Sequence, residues 1–475
     1  MGNKTMHCPT GRIGRRSFIG LGMAAGLAQF DASMASAFAR AQGKAKQVLV
    51  LFEQGGVSHI DTWDPKPDAV AEHRSPFKTI QTNVPGINVT ELLTHSSKHL
   101  DKLSLIRCMT QPTPGIGNSH PAGSQYIYSG HAPGGPVEMP DLSSVVAMLL
   151  DSNAKHLPSN IMVPGTNEQA GSSRIGFLPP AYQVFKTSGN LADPNWTVPN
   201  LGLLGIDQGR FKNRADLLSN LDIGIAGRSK AKDAEAMKSL MTQATDMLTN
   251  PKTRLAFDLT AEPEGLRNRY GLGHRGQCYL LGRKLIESGV RFVTCDVREP
   301  HQSFVDGEAK TYDGGTNMNW DHHDAIYSES HTNIKGGGPG AGRYGIHTWP
   351  MMGSLDQAFA TLLEDMDERG LLDETLVCLV SEFGRTPKIN NRQGRDHWTH
   401  AFTFIFAGAG VPGGQVFGAT DPDGGYITSS KAYTIEDYAA TVYEKLGLDR
   451  EIPIYTPDDR PIFLSKDGSP IPELF

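Results

Sequence analysis

The feature that most constrains this chain is an apolar run with a charged loop behind it. Residues 376–380 (LVCLV) are short, apolar and free of charge, the pattern of a strand buried on both faces. Glu382 follows, then Gly384 and Arg385, a polar loop with Pro387, Asn390, Asn391 and Gly394, and the tetrad Arg395-Asp396-His397-Trp398. A second run, 402–407 (FTFIFA), reads as the next strand. Similar runs stand at 47–52 (QVLVLF), 103–109 (LSLIRCM) and 290–295, with a short one at 160–163. Between them lie helical patterns at 141–150, 280–288, 354–369 and 434–446, and one that opens near Pro121 and stops at Gly130. Strands alternating with helices predict an α/β fold. In an open α/β sheet ligands collect beyond the carboxyl ends of the strands. Glu382, Asp396, His397 and two arginines are then placed where a metal and an anion could be held. The plainer reading is a surface loop with ordinary ion pairs. Further His/Asp clusters elsewhere in the chain favour a site.

The first of these follows the run 47–52. Glu53-Gln54-Gly55-Gly56 ends the strand, and His59, Asp61 and Asp64 come after it. The second is Trp320-Asp321-His322-His323-Asp324, inside a Gly/Asn/His-rich stretch at 300–347 that also holds His331 and His347. A loop of that length in a compact protein is usually functional or disordered. His120 stands at a predicted helix start, where backbone N–H groups can hold an anion. Carboxylate and imidazole together suit Zn²⁺ or Mn²⁺; Ca²⁺ is possible but is more usually held by oxygen alone. His59, Asp61, Asp321, His323, Glu382, Asp396 and His397 exceed one tetrahedral site. They suit two ions sharing a carboxylate, the arrangement that clamps an in-line displacement. Arg385 and Arg395 are placed to orient an oxyanion.

The two ends read differently. Gly14-Arg15-Arg16-Ser17-Phe18-Ile19-Gly20 is a twin-arginine pattern before a mildly apolar stretch, with small residues for cleavage around Ala37-Phe38-Ala39 and Ala41. Residues 1–41 are therefore expected to be a twin-arginine signal, and the mature protein to be periplasmic or extracellular with no stable membrane span. The chain of 475 residues carries a net charge of −6, and cleavage after Ala39 removes a net +3, leaving −9. An acidic chain without a basic run argues against a nucleic-acid partner. Of five cysteines, Cys8 leaves with the signal; Cys108, Cys278, Cys295 and Cys378 remain, three of them in apolar runs that suggest buried thiols. Residues 165–260 lack strand alternation and metal-type clusters, and read as an inserted helical cap. The Pro-rich tail 450–475 is expected to wrap the surface. There is no GxxxxGK[ST] phosphate loop, no G-x-S-x-G elbow and no internal repeat.

Four segments carry a resemblance to a known family: GGVSHIDTWDPKPDA, NWDHH, LDETLVCLVSEFGRTPKIN and GRDHWTHAFTFIFAGAGVPGGQVFGATD. They resemble the domain of unknown function fifteen-oh-one, an exported, sulfatase-like family of the alkaline phosphatase superfamily, over residues 46–465. The resemblance implies an alkaline-phosphatase-like α/β/α sandwich with a mostly parallel central sheet and a binuclear metal centre. It implies hydrolysis of phosphate or sulfate esters, with a small-molecule or polysaccharide ester, sulfated polysaccharide included, as substrate. Asp321 and His323 look like the Asp/His ligands of one metal, Glu382 stands for the strand-end Asp, with Phe383 where its histidine partner would be, and His397 looks like the late histidine ligand. Glu53 stands near the usual first-strand Asp, with Asp61 as a substitute. Counting back from Gly130 places His120 at the nucleophile position, with Ser119 and Ser124 as weaker candidates. A non-catalytic exported protein that keeps the fold to bind a glycan or an envelope partner is the alternative.

Overall fold

The computed structural model describes residues 44–112, 119–150, 152–165, 174–199, 241–297, 319–328, 344–465 and 467–475, with short pieces of 201–217 and the backbone of 302–305 and 308–311. The segment expected to be a signal, His331 and most of the helical stretches expected in the cap lie outside the described residues.

At the centre stands strand β1 (Gln47–Glu53), buried along its whole length. The strands that join it are β2 (Leu103–Met109), β3 (Asn160–Val163), β4 (Phe185–Lys186), β5 (Phe292–Val297), β6 (Thr375–Val380), β7 (Phe402–Ala407) and β8 (Gln415–Phe417). They form one eight-stranded sheet in the order β8-β2-β7-β6-β1-β5-β3-β4. β1 pairs in parallel with β6 and β5, with Val50 opposite both Cys378 and Thr294. β7 is the reversed strand, antiparallel to both β6 and β2. The sheet is thus mostly parallel and the fold α/β, as the strand-helix alternation predicts.

The alternation of side chains across β1 divides two cores. Leu49 and Leu51 face one, with Leu280, Leu281, Leu355 and Phe359. Val48, Val50 and Phe52 face the other, with Ile127, Val146 and Tyr438. Helices α1 (His120–Ser129), α2 (Leu142–Leu149) and α5 (Ile435–Lys445) cover the second face; α3 (His274–Glu287) and α4 (Ser354–Glu368) cover the first. Helix–sheet–helix layering explains why the central strands read as unbroken apolar runs: each has a core on both sides. The helix stops are also as the sequence requires. Gly130 closes α1 in the left-handed region, and Thr434 opens α5 with a reciprocal capping box to Asp437. Cys108, Cys278, Cys295 and Cys378 are buried, and none of them is in a disulfide. Among the described residues, no helix is long and apolar enough to cross a membrane.

Three expectations change. Residues 165–260 do not stand apart as a cap where they are described. β4 extends the central sheet beside β3, and Leu191, Val198, Ala256 and Phe257 pack into the first core. Their alternation is short, which hid the strand. The tail is anchored in the second core through Ile454, Leu464, Ile471 and Leu474; proline marked the turns, and these apolar residues do the packing. The strand read at 290–295 runs instead from Phe292 to Val297 as β5, which places Asp296 within it, buried.

Candidate metal centre

Beyond the carboxyl end of β1 the chain makes a tight Gly-Gly turn. Gly55 and Gly56 have φ of +119° and +78°. A Cβ on Gly55 would lie 2.4 Å from the Trp320 backbone nitrogen, so only glycine allows the segment 319–323 to cross there. Trp320 N–H donates to Gln54 O at 3.0 Å and fixes that crossing. Asp321 is thereby held between the ends of β1 and β6.

Three imidazoles gather on it. His120 Nε2 lies 3.1 Å from Asp321 Oδ1, His323 Nε2 3.1 Å and His397 Nε2 3.2 Å. His323 Nε2 and His397 Nε2 are 2.9 Å apart. Arg385 Nη2 donates to the same Asp321 oxygen at 2.8 Å. One carboxylate oxygen has two lone pairs and cannot accept from four donors. Two imidazole nitrogens at 2.9 Å repel if both present lone pairs, so either one of them carries a proton toward the other or a cation lies beside them. The donor atoms of His120, Asp321 and His397 all lie within 4.8 Å of one another, close enough to hold one metal ion.

Behind this inner set stands a second layer. Glu382 Oε1 is 2.5 Å from His120 Nδ1, and Asp396 Oδ1 is 3.0 Å from His323 Nδ1. A carboxylate behind a histidine holds the proton on the far nitrogen and turns the near lone pair inward, the arrangement usual for metal-binding imidazoles. Glu382 is fully buried and also accepts from Gly55 N–H at 2.9 Å. Helix α1 lies directly on it: a Cβ on Gly123 would touch Glu382 Cβ at 3.0 Å. Burial would raise the Asp321 carboxyl, but the hydrogen bonds from His120, His323 and His397 and the Arg385 charge hold it far below the usual range. Burial likewise opposes the low value of Glu382, which the His120 contact sets. Burial lowers His397 to about 4, with Arg385 and His120 adding to the effect. His120 goes the other way: burial lowers it, and Asp321 and Glu382 outweigh that and raise it.

Of the residues singled out by sequence, Asp321, His323, Glu382, Asp396, His397, His120 and Arg385 come together. His59 and Asp61 do not join the inner set. His59 Nε2 donates to Gly424 O at 2.7 Å, and Asp61 is ion-paired to Arg395 Nε at 2.9 Å with both side chains fully buried. Ser58 and Tyr327 also donate to Asp61. Strand-end position alone could not distinguish a carboxylate facing a site from one facing an arginine. Glu53 points away too, accepting from Arg275, Tyr279 and Trp320.

The expected oxyanion groups are also engaged. Arg385 donates to Gly55 O, Gly56 O and Arg395 O besides Asp321. Arg395 donates to Thr386 O, Pro387 O and His73 O besides Asp61. Both are fully buried, so they position the site and do not face a ligand. At the start of α1, Pro121 has no N–H, Ala122 N–H goes to Ser119 Oγ and Gly123 N–H to Ser119 O. That leaves fewer amides for an anion than the helix start promised. Both ring nitrogens of His120 have carboxylate neighbours, and buried Ser124 accepts from Gln54.

Asn390 was missed. Its amide donates to Asp396 Oδ1 at 3.0 Å and to His323 O at 2.8 Å, tying the two loops together. The signal was present as an Asn-Asn pair between proline and glycine, a turn that an Asn side chain can organise.

No curated protein matches the chain. Among the solved structures similar to the chain are two of distant sequence. One, titled "Crystal structure of Ps i-CgsB", is 12% identical, with 85% of this chain and 72% of that chain covered and a TM-score of 0.35. The other, the phosphonate monoester hydrolase SpPMH from Silicibacter pomeroyi, is 11% identical, with 90% and 76% covered and a TM-score of 0.36. A family model described as "Protein of unknown function (DUF1501)" matches residues 45–475, and the chain belongs to that family.

Proposed function

We propose that this chain is an exported, metal-dependent hydrolase of phosphate or sulfate esters. The observation that carries the reading is the convergence of three imidazole Nε2 atoms on Asp321 Oδ1, two of them backed by carboxylates. His120, Asp321 and His397 would hold the ion, with His323 beside them. A nitrogen-rich set favours Zn²⁺, then Mn²⁺, over Ca²⁺. Among the described residues there is one such group, so the reading is one ion, in place of the pair that the sequence suggested.

When bound, a divalent ion supplies Lewis-acid polarisation and water activation. The chain's own residues do the rest. Glu382 and Asp396 keep the Nδ1 protons of His120 and His323 in place. Arg385 fixes the Asp321 oxygen. Phe383 packs against His120 and His397, with ring centroids 5.0 and 4.4 Å away, and keeps that side of the site dry. Ser119 caps α1 and Ser124 is buried, so neither is placed as a nucleophile.

One observation favours a second reading, a non-catalytic exported glycan- or envelope-binding protein. Both arginines near the site are engaged by the protein itself, which leaves neither to stabilise transition-state charge.

Protein purified without chelator should contain about one equivalent of divalent metal and hydrolyse an aryl phosphate or aryl sulfate, with activity lost to chelator and restored by Zn²⁺ or Mn²⁺. Metal without turnover on either ester favours the binding reading. Protein that neither carries nor takes up metal overturns both the centre and the activity. Export is tested separately: Arg15→Lys with Arg16→Lys should leave precursor in the cytoplasm, and normal secretion would remove the twin-arginine assignment.

A further inference from the structure

His59 is left with an unusual environment. A carbonyl can only accept, so the 2.7 Å contact with Gly424 O puts the proton of the ring on Nε2. Nδ1 then carries a bare lone pair. It is buried and has no hydrogen-bond partner among the described residues. His59 lines a small cavity of about 20 Å³ between the ends of β1, β6 and β7, with Trp63, Leu355, Leu379 and Ile405 as apolar walls. Thr403 lines the same cavity, and its Oγ1 is also buried without a partner.

The other polar side chains on that wall are satisfied. Glu53 accepts from Arg275, Tyr279 and Trp320; Thr62 Oγ1 donates to Ser58 O; Ser381 Oγ accepts from Gly56 and Val57 and donates to Glu53 O. Two residues that line one cavity therefore each carry a buried polar atom without a partner among the described residues. A water needs roughly 10–15 Å³ on this measure and two to four polar partners. Leaving both groups unpaired would cost far more than immobilising one water.

We infer that this cavity is the binding site of one internal water, bridging His59 Nδ1 and Thr403 Oγ1. The water donates to the imidazole lone pair and shares its second hydrogen bond with the threonine hydroxyl. Its place gives it consequence. A Cβ on Gly384 would lie 3.0 Å from His59 Nδ1, so the imidazole stands immediately behind the turn that links Glu382 to Arg385. The water fills the wall on which that turn rests. It also accounts for a histidine whose surroundings on a sequence reading suggest a metal ligand.

A crystal structure of the intact protein at about 1.8 Å or better tests this directly. One ordered water within hydrogen-bond reach of both atoms is the expected result. A dry cavity, or a direct His59–Thr403 bond, overturns the proposal. Two variants give an independent measure. Thr403→Val keeps the shape and removes the hydroxyl, and should lower the melting temperature by about 2 °C; Thr403→Ser should stay near wild type. Equal stability of all three proteins rejects the bridge. In nitrogen NMR, His59 should show the Nε2–H tautomer at neutral pH, and an Nδ1–H tautomer also overturns it.

Discussion

Asp61 and Asp321 invite comparison. Asp61 follows the end of β1 and Asp321 is held beside it, each is buried or nearly so, and each has histidine close by in sequence. Asp61 faces Arg395, Ser58 and Tyr327, partners that satisfy its oxygens within the protein. Asp321 faces three imidazoles that all present the same nitrogen to one oxygen. Asp321 also meets an arginine, Arg385, but one oxygen cannot accept from that arginine and three imidazoles at once, and a cation among them would relieve the crowding; that difference marks which loop is the candidate site.

The comparison breaks most visibly at Asp61. Removing one partner of a buried ion pair leaves the other charge uncompensated, so Asp61→Ala should cost about 3–5 kcal/mol of folding stability. The protein that still folds should keep its metal. Asp321→Ala should do the reverse, since Arg385 retains three backbone carbonyls as partners. Its loss of stability should be smaller and its metal content near zero. Urea denaturation together with elemental analysis on both variants decides the point. Equal metal loss in the two would mean that the separation drawn between them is wrong.

A finer test lies in the layer behind the imidazoles. Carboxylates that orient metal-bound histidines typically contribute 10–100-fold in affinity. Glu382→Gln and Asp396→Asn should therefore weaken metal binding by about that factor, or ~1.4–2.7 kcal/mol, without abolishing it. Glu382→Gln should have the larger effect, because Glu382 is buried whereas Asp396 is exposed to solvent. Complete loss of metal in either variant would promote that carboxylate to a direct ligand.

Much of this was legible beforehand, for physical reasons that differ by residue. The central strands were visible because burial on both faces demands unbroken apolar runs, as in 376–380 and 402–407. The helix stop at Gly130 was visible because backbone geometry selects residue type locally. The site segments were visible because imidazole and carboxylate cluster at strand ends. What could not be read was direction. Nothing in the sequence near His59 says that its ring meets Gly424, a contact spanning |i−j| = 365. Nor could the sequence show that Arg385 and Arg395 face backbone carbonyls, because those acceptors belong to every residue alike. β4 was lost for a related reason: two residues carry no periodicity.

Asp141 sharpens the comparison from outside the site. It is another buried aspartate, and among the described residues it has neither a side-chain ion pair with an arginine nor a ring of imidazoles. Its side chain accepts from Arg174 N–H at 3.0 Å, just ahead of α2. Burial dominates and pushes its carboxyl up from 3.8 to about 8, against smaller opposing contributions from that amide and from Lys186. The sign follows from proton counting. Between pH 3.8 and 8 the folded chain holds a proton that the unfolded chain has lost. The contribution of this group to stability is therefore complete below pH 3.8 and lost as pH rises toward 8, with a slope of up to ~1.4 kcal/mol per pH unit. Asp141→Asn removes the titration while keeping an oxygen for the Arg174 amide. The denaturant midpoint of the variant should gain steadily on that of wild type as pH rises from 5 to 8. A difference that stays constant across that range would show that Asp141 is ionised in the folded protein, held by a cation as Asp61 is.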